Sequence, residues 1–93
     1  MKIKVTKKHI QAGVMSCPDR CPIALAIKEA TGLKVLVDLG GKIHFPDARV
    51  SLRGNAELGK FVARFDNSFP VKPFQFNIKK LRAYKRYFGR SLE

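Results

Sequence analysis

The stretch from Leu33 to Arg53 restricts the possible folds of this chain more than any other part of the sequence. Apolar and polar residues alternate before and after Gly40-Gly41, and a glycine pair between alternating runs is typical of a two-residue hairpin turn. We therefore predict a meander of three antiparallel strands with one apolar face. The apolar residues that alternate are Val35, Val37, Leu39, Ile43, Phe45, Ala48, Val50 and Leu52.

Helices and two more strands are predicted around this meander. The 22–32 segment has proline at the first helical position and glycine at the stop, and the 55–65 segment repeats apolar residues at helical spacing. The additional predicted elements are a strand at KIKVT, a short helix capped by Thr6 and stopped by Gly13, helices from Pro22 to Gly32 and from Asn55 to about Phe65, and a strand at FQFNI. Together they predict an α+β fold: a mainly antiparallel sheet of four to five strands with helices packed on one face.

The length of 93 residues allows one small domain, since two hydrophobic cores need a longer chain. We predict an α+β domain over residues 1–78, followed by a basic C-terminal helix or tail over residues 79–93. No apolar run approaches the roughly 18 residues of a membrane span. The N-terminus also lacks the apolar stretch of a signal peptide. We therefore expect a soluble, cytoplasmic protein that does not bind membranes.

Charge is the property of the composition that most restricts function. Nineteen Lys and Arg face seven Asp and Glu, which gives a net charge of +12. Residues 1–78 contribute thirteen basic and six acidic side chains, a net of +7, so the body of the domain is basic as well as the tail. Such a charge attracts polyanions at long range, and the usual polyanion is nucleic acid.

The segment KKLRAYKRYFGR, Lys79 to Arg90, contains the first set of candidate contact residues. As a helix from Lys79 to about Phe88, it would place basic residues along one stripe and apolar residues along another. Three interpretations compete: a grip on phosphates, a helix on an anionic membrane surface, and an ordinary terminal helix with a solvated face. We predict the first, with nucleic-acid contacts from Lys79, Lys80, Arg82, Tyr84, Lys85, Arg86 and Arg90.

The outward face of the meander supplies the second set. Alternation that sends Val50 and Leu52 to the core sends Arg49 and Arg53 to the opposite face, and both are predicted to support nucleic-acid binding. Lys34, Lys42 and His44 are predicted on the same face. The phenylalanines fall at core positions, so this face is predicted to contact phosphates without stacking on bases.

Evidence for an active site or a metal site is weak. A zinc site would need Cys17, Cys21, His9 and His44 together, and the two histidines form no close pair. A disulfide and a small, partly buried Cys21 at a helix start are the other interpretations, and the second is preferred. The acidic residues show no paired motif spacing. We therefore predict no enzymatic activity, no catalytic residue, no metal and no cofactor.

Three stretches carry a resemblance: VTKKHIQAG at Val5–Gly13, CPIALAIKEATG at Cys21–Gly32, and FDNSFPVKPFQF at Phe65–Phe76. In this order they resemble a family of small, mostly uncharacterised proteins encoded by bacteriophages and prophages. The resemblance spans about residues 3–78, and its motifs look structural, so it assigns no functional residue. It implies that the protein acts in the cytoplasm of a host bacterium.

Two functions are expected from these observations. The first is a non-enzymatic protein that binds DNA or RNA through contacts between Lys or Arg and phosphates. The alternative, suggested by the phage resemblance, is an inhibitor of a host nucleic-acid-processing protein such as a CRISPR complex, a nuclease or a polymerase. In that case, the basic surface would dock on an acidic host protein or compete for its nucleic acid.

Overall fold

A computed structural model describes residues 2–48, 50–53 and 56–78, and gives the bounds of every element named below. Five strands, three α-helices and one 3₁₀ turn follow each other along this part of the chain. They are β1 (Lys2–Val5), α1 (Lys7–Ala12), α2 (Pro22–Thr31), β2 (Leu36–Val37), β3 (Ile43–Phe45), the 3₁₀ turn (Pro46–Ala48), β4 (Val50–Leu52), α3 (Ala56–Asp66) and β5 (Phe74–Asn77).

The strands form two antiparallel sheets, so the prediction of one sheet with four to five strands is wrong. β1 pairs with β5, and β2, β3 and β4 form a separate three-stranded sheet in that order. In the two-stranded sheet, Ile3 lies opposite Phe76 and Val5 lies opposite Phe74. Alternation identifies the apolar face of each strand, but it does not specify a partner many residues away. The coarser prediction, an α+β domain with antiparallel strands, is confirmed.

The meander is confirmed, with a register that places His44 between Leu36 and Ser51 on neighbouring strands. Two details differ from the prediction. Leu39 is 72% exposed, because β2 ends at Val37 and the turn begins at Asp38, whose Oδ1 accepts hydrogen bonds from the backbone N–H groups of Gly40 and Lys42. Ala48 belongs to the 3₁₀ turn that starts at Pro46, and not to a strand.

Helix α2 forms where the proline and glycine signals predict it. The Sγ atom of Cys21 caps the N-terminus by accepting a hydrogen bond from the N–H of Ala24 at 3.4 Å. Gly32 ends the helix in the left-handed conformation, with φ of 72°, which a residue without Cβ adopts at least cost. The side chains of Ile23 and Ile27 are fully buried on one face of the helix.

A close backbone approach holds α3 against the hairpin that joins β2 and β3. Gly41 has φ of +79°, and a Cβ added there would be 2.6 Å from the backbone nitrogen of Gly59 in α3. The helix buries Leu58, Phe61 and Val62, as its apolar spacing predicts. A side chain at Gly41 would force the helix to move, whereas a Cβ at Gly59 would be 3.1 Å from the carbonyl oxygen of Gly40, a tight contact that a small shift relieves.

Both sheets contribute one face to a single hydrophobic core. The buried residues form one cluster, which contains Ile3, Val5 and Phe76 from the two-stranded sheet and Val37, Ile43, Phe45 and Leu52 from the other. Helix α2 contacts both β1 and β2 and thereby bridges the two sheets. The opposite faces of the strands are left for polar residues, and these are the surfaces on which the candidate site is sought.

Candidate nucleic-acid interface

Arg53 is the one predicted contact residue that the structure describes, and its side chain is exposed. β5 is the last described strand, and its Asn77 pairs with Lys2 of β1. The remaining predicted contacts lie outside the described residues, as does the predicted 79–88 helix: Arg49, Lys79, Lys80, Arg82, Tyr84, Lys85, Arg86 and Arg90.

Every lysine and arginine that the structure describes has an exposed side chain. They occur on β1, on all three helices and in the loops, and not in one patch. These residues are Lys2, Lys4, Lys7, Lys8, Arg20, Lys28, Lys34, Lys42, Arg53, Lys60, Arg64 and Lys72. Exposure keeps each cation hydrated and available to an external anion.

None of these described cations forms a salt bridge with a carboxylate. Both ion pairs within the described residues use histidine: His9 with Glu29 and His44 with Asp38. A further carboxylate, that of Asp66, holds a loop by accepting a hydrogen bond from the backbone N–H of Ser16 at 2.9 Å. Asp47 and Glu57 form no ion pair with other described residues, so no described carboxylate is paired with a lysine or arginine.

The outer face of the two-stranded sheet is one basic region that the sequence prediction did not single out. Lys2 and Lys4 of β1 are exposed on this face, opposite Asn77 and Gln75 of β5. Helix α1 follows at once with two more exposed lysines. The signal was present in KIKVTKK, because the alternation that buries Ile3 and Val5 also sends both lysines outward.

The outer face of the three-stranded sheet is less uniformly basic than predicted. Lys42 and Arg53 are exposed, as expected, but His44 is half-buried and held at both ring nitrogens. Its Nδ1 lies 2.7 Å from Ser51 Oγ, and its Nε2 lies 3.4 Å from Asp38 Oδ2. The carboxylate of Asp38 thus lies beside the predicted phosphate contacts and reduces the positive charge at this point of the face.

The turn around Asp38 stabilises the ionised form of its carboxyl group. Burial acts to raise the pKa of its carboxyl group, but hydrogen bonds from the N–H of Lys42, from His44 and from the N–H of Gly40 outweigh this effect and lower the pKa. The carboxylate therefore stays charged and fixes both the hairpin turn and the His44 ring.

His9 links the first two helices and is not a free metal ligand. Its Nδ1 accepts a hydrogen bond from the N–H of Thr6 at 3.0 Å, in a capping box at the start of α1. The proton on the ring is therefore on Nε2, which donates to Glu29 Oε2 of α2 at 2.6 Å. This hydrogen bond from His9 lowers the pKa of Glu29.

Both cysteines are free thiols with different surroundings. Cys21 is buried, and burial raises the pKa of its thiol in spite of the hydrogen bond from Ala24. Cys17 is half-buried and donates to Asp19 Oδ1 at 3.6 Å. Within residues 2–48, 50–53 and 56–78, no three His, Cys, Asp or Glu side chains come close enough together to hold a metal ion.

Two further observations complete the description of the chain. None of the helices in the described ranges is long and apolar enough to cross a bilayer. No protein-family model matches the chain, and no curated protein or solved structure shows significant similarity to it. The resemblance to small bacteriophage and prophage proteins therefore stays a prediction, and function is inferred from the residues themselves.

Proposed function

We propose that this protein is a non-enzymatic nucleic-acid-binding protein whose affinity comes mainly from contacts between Lys or Arg and phosphates. The observation that carries the proposal is the uncompensated surface charge: twelve described cations are exposed, and none is paired with a carboxylate. Unpaired cations bind phosphate without first breaking an internal salt bridge. The basic segment from Lys79 to Arg90 adds to this surface in sequence.

Affinity of this kind depends strongly on salt, because each phosphate contact releases condensed counterions. A protein with six to ten contacts loses about 10³–10⁵-fold in affinity between roughly 50 and 200 mM salt. The first experiment is therefore binding to random single-stranded DNA, double-stranded DNA and RNA at these two salt concentrations. We expect binding to all three with a steep salt dependence and little sequence preference.

The tail contacts are tested with the double variant Arg82→Gln, Arg86→Gln. Each lost phosphate contact should reduce the slope of log K against log salt by about one unit, so the expected reduction is about two. The matched control is Arg20→Gln, Lys28→Gln, which removes the same charge. Arg20 and Lys28 line a cavity together with Lys34, Asp19 and Asp47, so two carboxylates lie near these cations. Equal slopes for the two variants would contradict the assignment to the tail.

A second candidate function is a phage-type inhibitor that binds a host nucleic-acid-processing protein. The supporting observation is a set of exposed large apolar side chains: Val14 at 44%, Met15 at 49%, Leu39 at 72% and Phe69 at 62%. Met15 Sδ accepts from Ser68 Oγ at 3.1 Å, which places it next to Phe69. Leu39 and Ser16 line one cavity of about 310 Å³. Exposed large apolar groups suit a protein partner better than a phosphate backbone.

The same binding experiment separates the two functions. No binding to DNA or RNA near physiological salt would reject the first. The second would then be supported by a host protein that the parent captures and that Leu39→Ser, Phe69→Ser does not capture.

A further inference from the structure

A groove of about 430 Å³ runs between α3 and the loop that leads into β5. Its floor contains the rings of Phe61 and Phe74, and its rim has three exposed cations, Lys60, Arg64 and Lys72. The volume lies in the usual range of sites for small organic groups, roughly 300–1,000 Å³. It suits one or two nucleotide units better than a duplex.

The floor of the groove is held in place by the fold. The ring centroids of Phe61 and Phe74 are 4.8 Å apart, and the Phe74 centroid is 5.7 Å from that of Phe76 in the core. On the loop side, Pro70 and Pro73 also line the groove, and proline fixes the backbone φ angle. A site formed in advance binds its ligand without the cost of ordering a loop.

The rim is positively charged on both sides of the apolar floor. Lys60 and Arg64 are four residues apart, so they are neighbours on α3, and Lys72 belongs to the loop. Glu57 is the one acid among the described residues that line the groove, and it forms no salt bridge with these cations. Three cations and one carboxylate give the lining a formal charge of +2.

We propose that this groove is a subsite for single-stranded nucleic acid, in which a base contacts the Phe61–Phe74 floor and the flanking phosphates are bound by Lys60, Arg64 and Lys72. The inference rests on the proposed function and deepens it. An aromatic floor between cations matches a strand in which flat bases alternate with phosphates. A duplex keeps its bases stacked inside, so only an unpaired strand can offer one to the floor. Phe74 is half-buried in β5 and is the accessible ring of the floor, whereas Phe61 is only 8% exposed and supports Phe74 from the core.

The test compares an oligo-dT 12-mer with an abasic 12-mer of equal phosphate count by fluorescence anisotropy. Base stacking should make the parent bind oligo-dT about tenfold more tightly than the abasic strand. Phe74→Leu keeps an apolar side chain but removes the ring, so it should abolish this preference, with a larger loss of affinity for oligo-dT than for the abasic strand. The matched control is Phe65→Leu, because Phe65 stacks on Phe61 at 6.4 Å but does not line the groove.

The double variant Lys60→Gln, Lys72→Gln tests the rim and involves only exposed side chains, so it is not expected to disturb folding. It should weaken the binding of both strands more than Arg20→Gln, Lys28→Gln, which removes the same charge. Equal affinity of the parent for the two strands, together with equal loss in the two charge variants, would reject the groove and leave the proposed function intact.

Absence of any binding to either strand would reject the proposed function as well. A Glu- and Tyr-containing peptide provides the remaining comparison. Binding of that peptide, lost in Lys60→Gln, Lys72→Gln, would assign the groove to an acidic protein partner and overturn the nucleic-acid assignment.

Discussion

At the scale of single residues, Gly41 makes the strictest steric demand. It combines a φ of +79° with an approach of 2.6 Å between a built Cβ and the nitrogen of Gly59, whereas Gly32 has φ of +72° and nothing within 4 Å. Gly32→Ala should lower the free energy of unfolding by about 1–2 kcal/mol, which is the cost of placing a residue with a Cβ in the left-handed conformation. Gly41→Ala should cost a further 1–3 kcal/mol or so, because helix α3 must move. Urea denaturation measures both, and equal losses would show that the crossing of Gly41 and Gly59 is not tight.

Residue-scale signals in the sequence were reliable where the cause is local. The Thr6 cap and the Gly32 stop follow from side-chain and backbone preferences within one helical turn, and both are found. The exposure of Leu39 was not predicted, because the turn begins earlier than the glycine pair indicates. It starts at Asp38, whose Oδ1 accepts a hydrogen bond from the N–H of Gly40. The link between His44, Ser51 and Asp38 needs the strand register, which the alternation alone does not provide.

At the scale of elements, α1 is tied to α2 by the hydrogen bond from His9 to Glu29. This bond lowers the pKa of Glu29 from its ordinary value of 4.5. Because the pKa of Glu29 is lower in the folded protein than in the unfolded chain, its hydrogen bond with His9 stabilises the fold fully above pH 4.5. This stabilisation is lost as the pH falls through the pKa of Glu29 in the folded protein. Glu29→Gln should therefore be less stable than the parent at neutral pH, with a difference that shrinks in acid.

The measurement for Glu29→Gln is the free energy of unfolding in urea across this pH range. Asp47→Asn is the control, since it also removes one exposed carboxylate, and Asp47 forms no hydrogen bond or ion pair with other described residues. If the two variants showed the same dependence on pH, the tie between α1 and α2 would not contribute to stability.

The type of each element was predictable, but the assembly of the strands was not. Periodicity identified α2, α3 and the meander to within a few residues, because burial of one face imposes the period. The pairing of β1 with β5 joins two ends of the described chain, and α2 contacts both β1 of this sheet and β2 of the other. Such a long-range choice leaves no trace in the alternation of either strand.

At the scale of the whole molecule, charge was the property that the sequence predicted best. The count of +12 required many unpaired cations, and the described part of the chain has them exposed on β1, on the three helices and in the loops. The count did not predict the groove at Lys60, Arg64 and Lys72. Lys60 and Arg64 lie on α3 and Lys72 lies in the loop before β5, so the packing of this loop on α3 brings the three cations together.

The unpaired charge also predicts how stability responds to salt in the absence of any ligand. Two surface cations about 10 Å apart repel by roughly 0.4 kcal/mol in water, and a Debye length of about 8 Å at 0.15 M reduces this to around a third. Summed over many pairs, the free energy of unfolding should rise on the order of 1 kcal/mol between about 10 and 150 mM NaCl.

The variant Lys2→Gln, Lys4→Gln should show a smaller rise with salt, because it removes two exposed cations from the outer face of the two-stranded sheet. Urea denaturation of both proteins at the two salt concentrations measures the difference. Asp47→Asn is again informative, because removal of an acid should steepen the rise. Stability that stayed constant or fell with salt would mean that the cations are already compensated within the fold. That result would remove the physical basis for binding a polyanion.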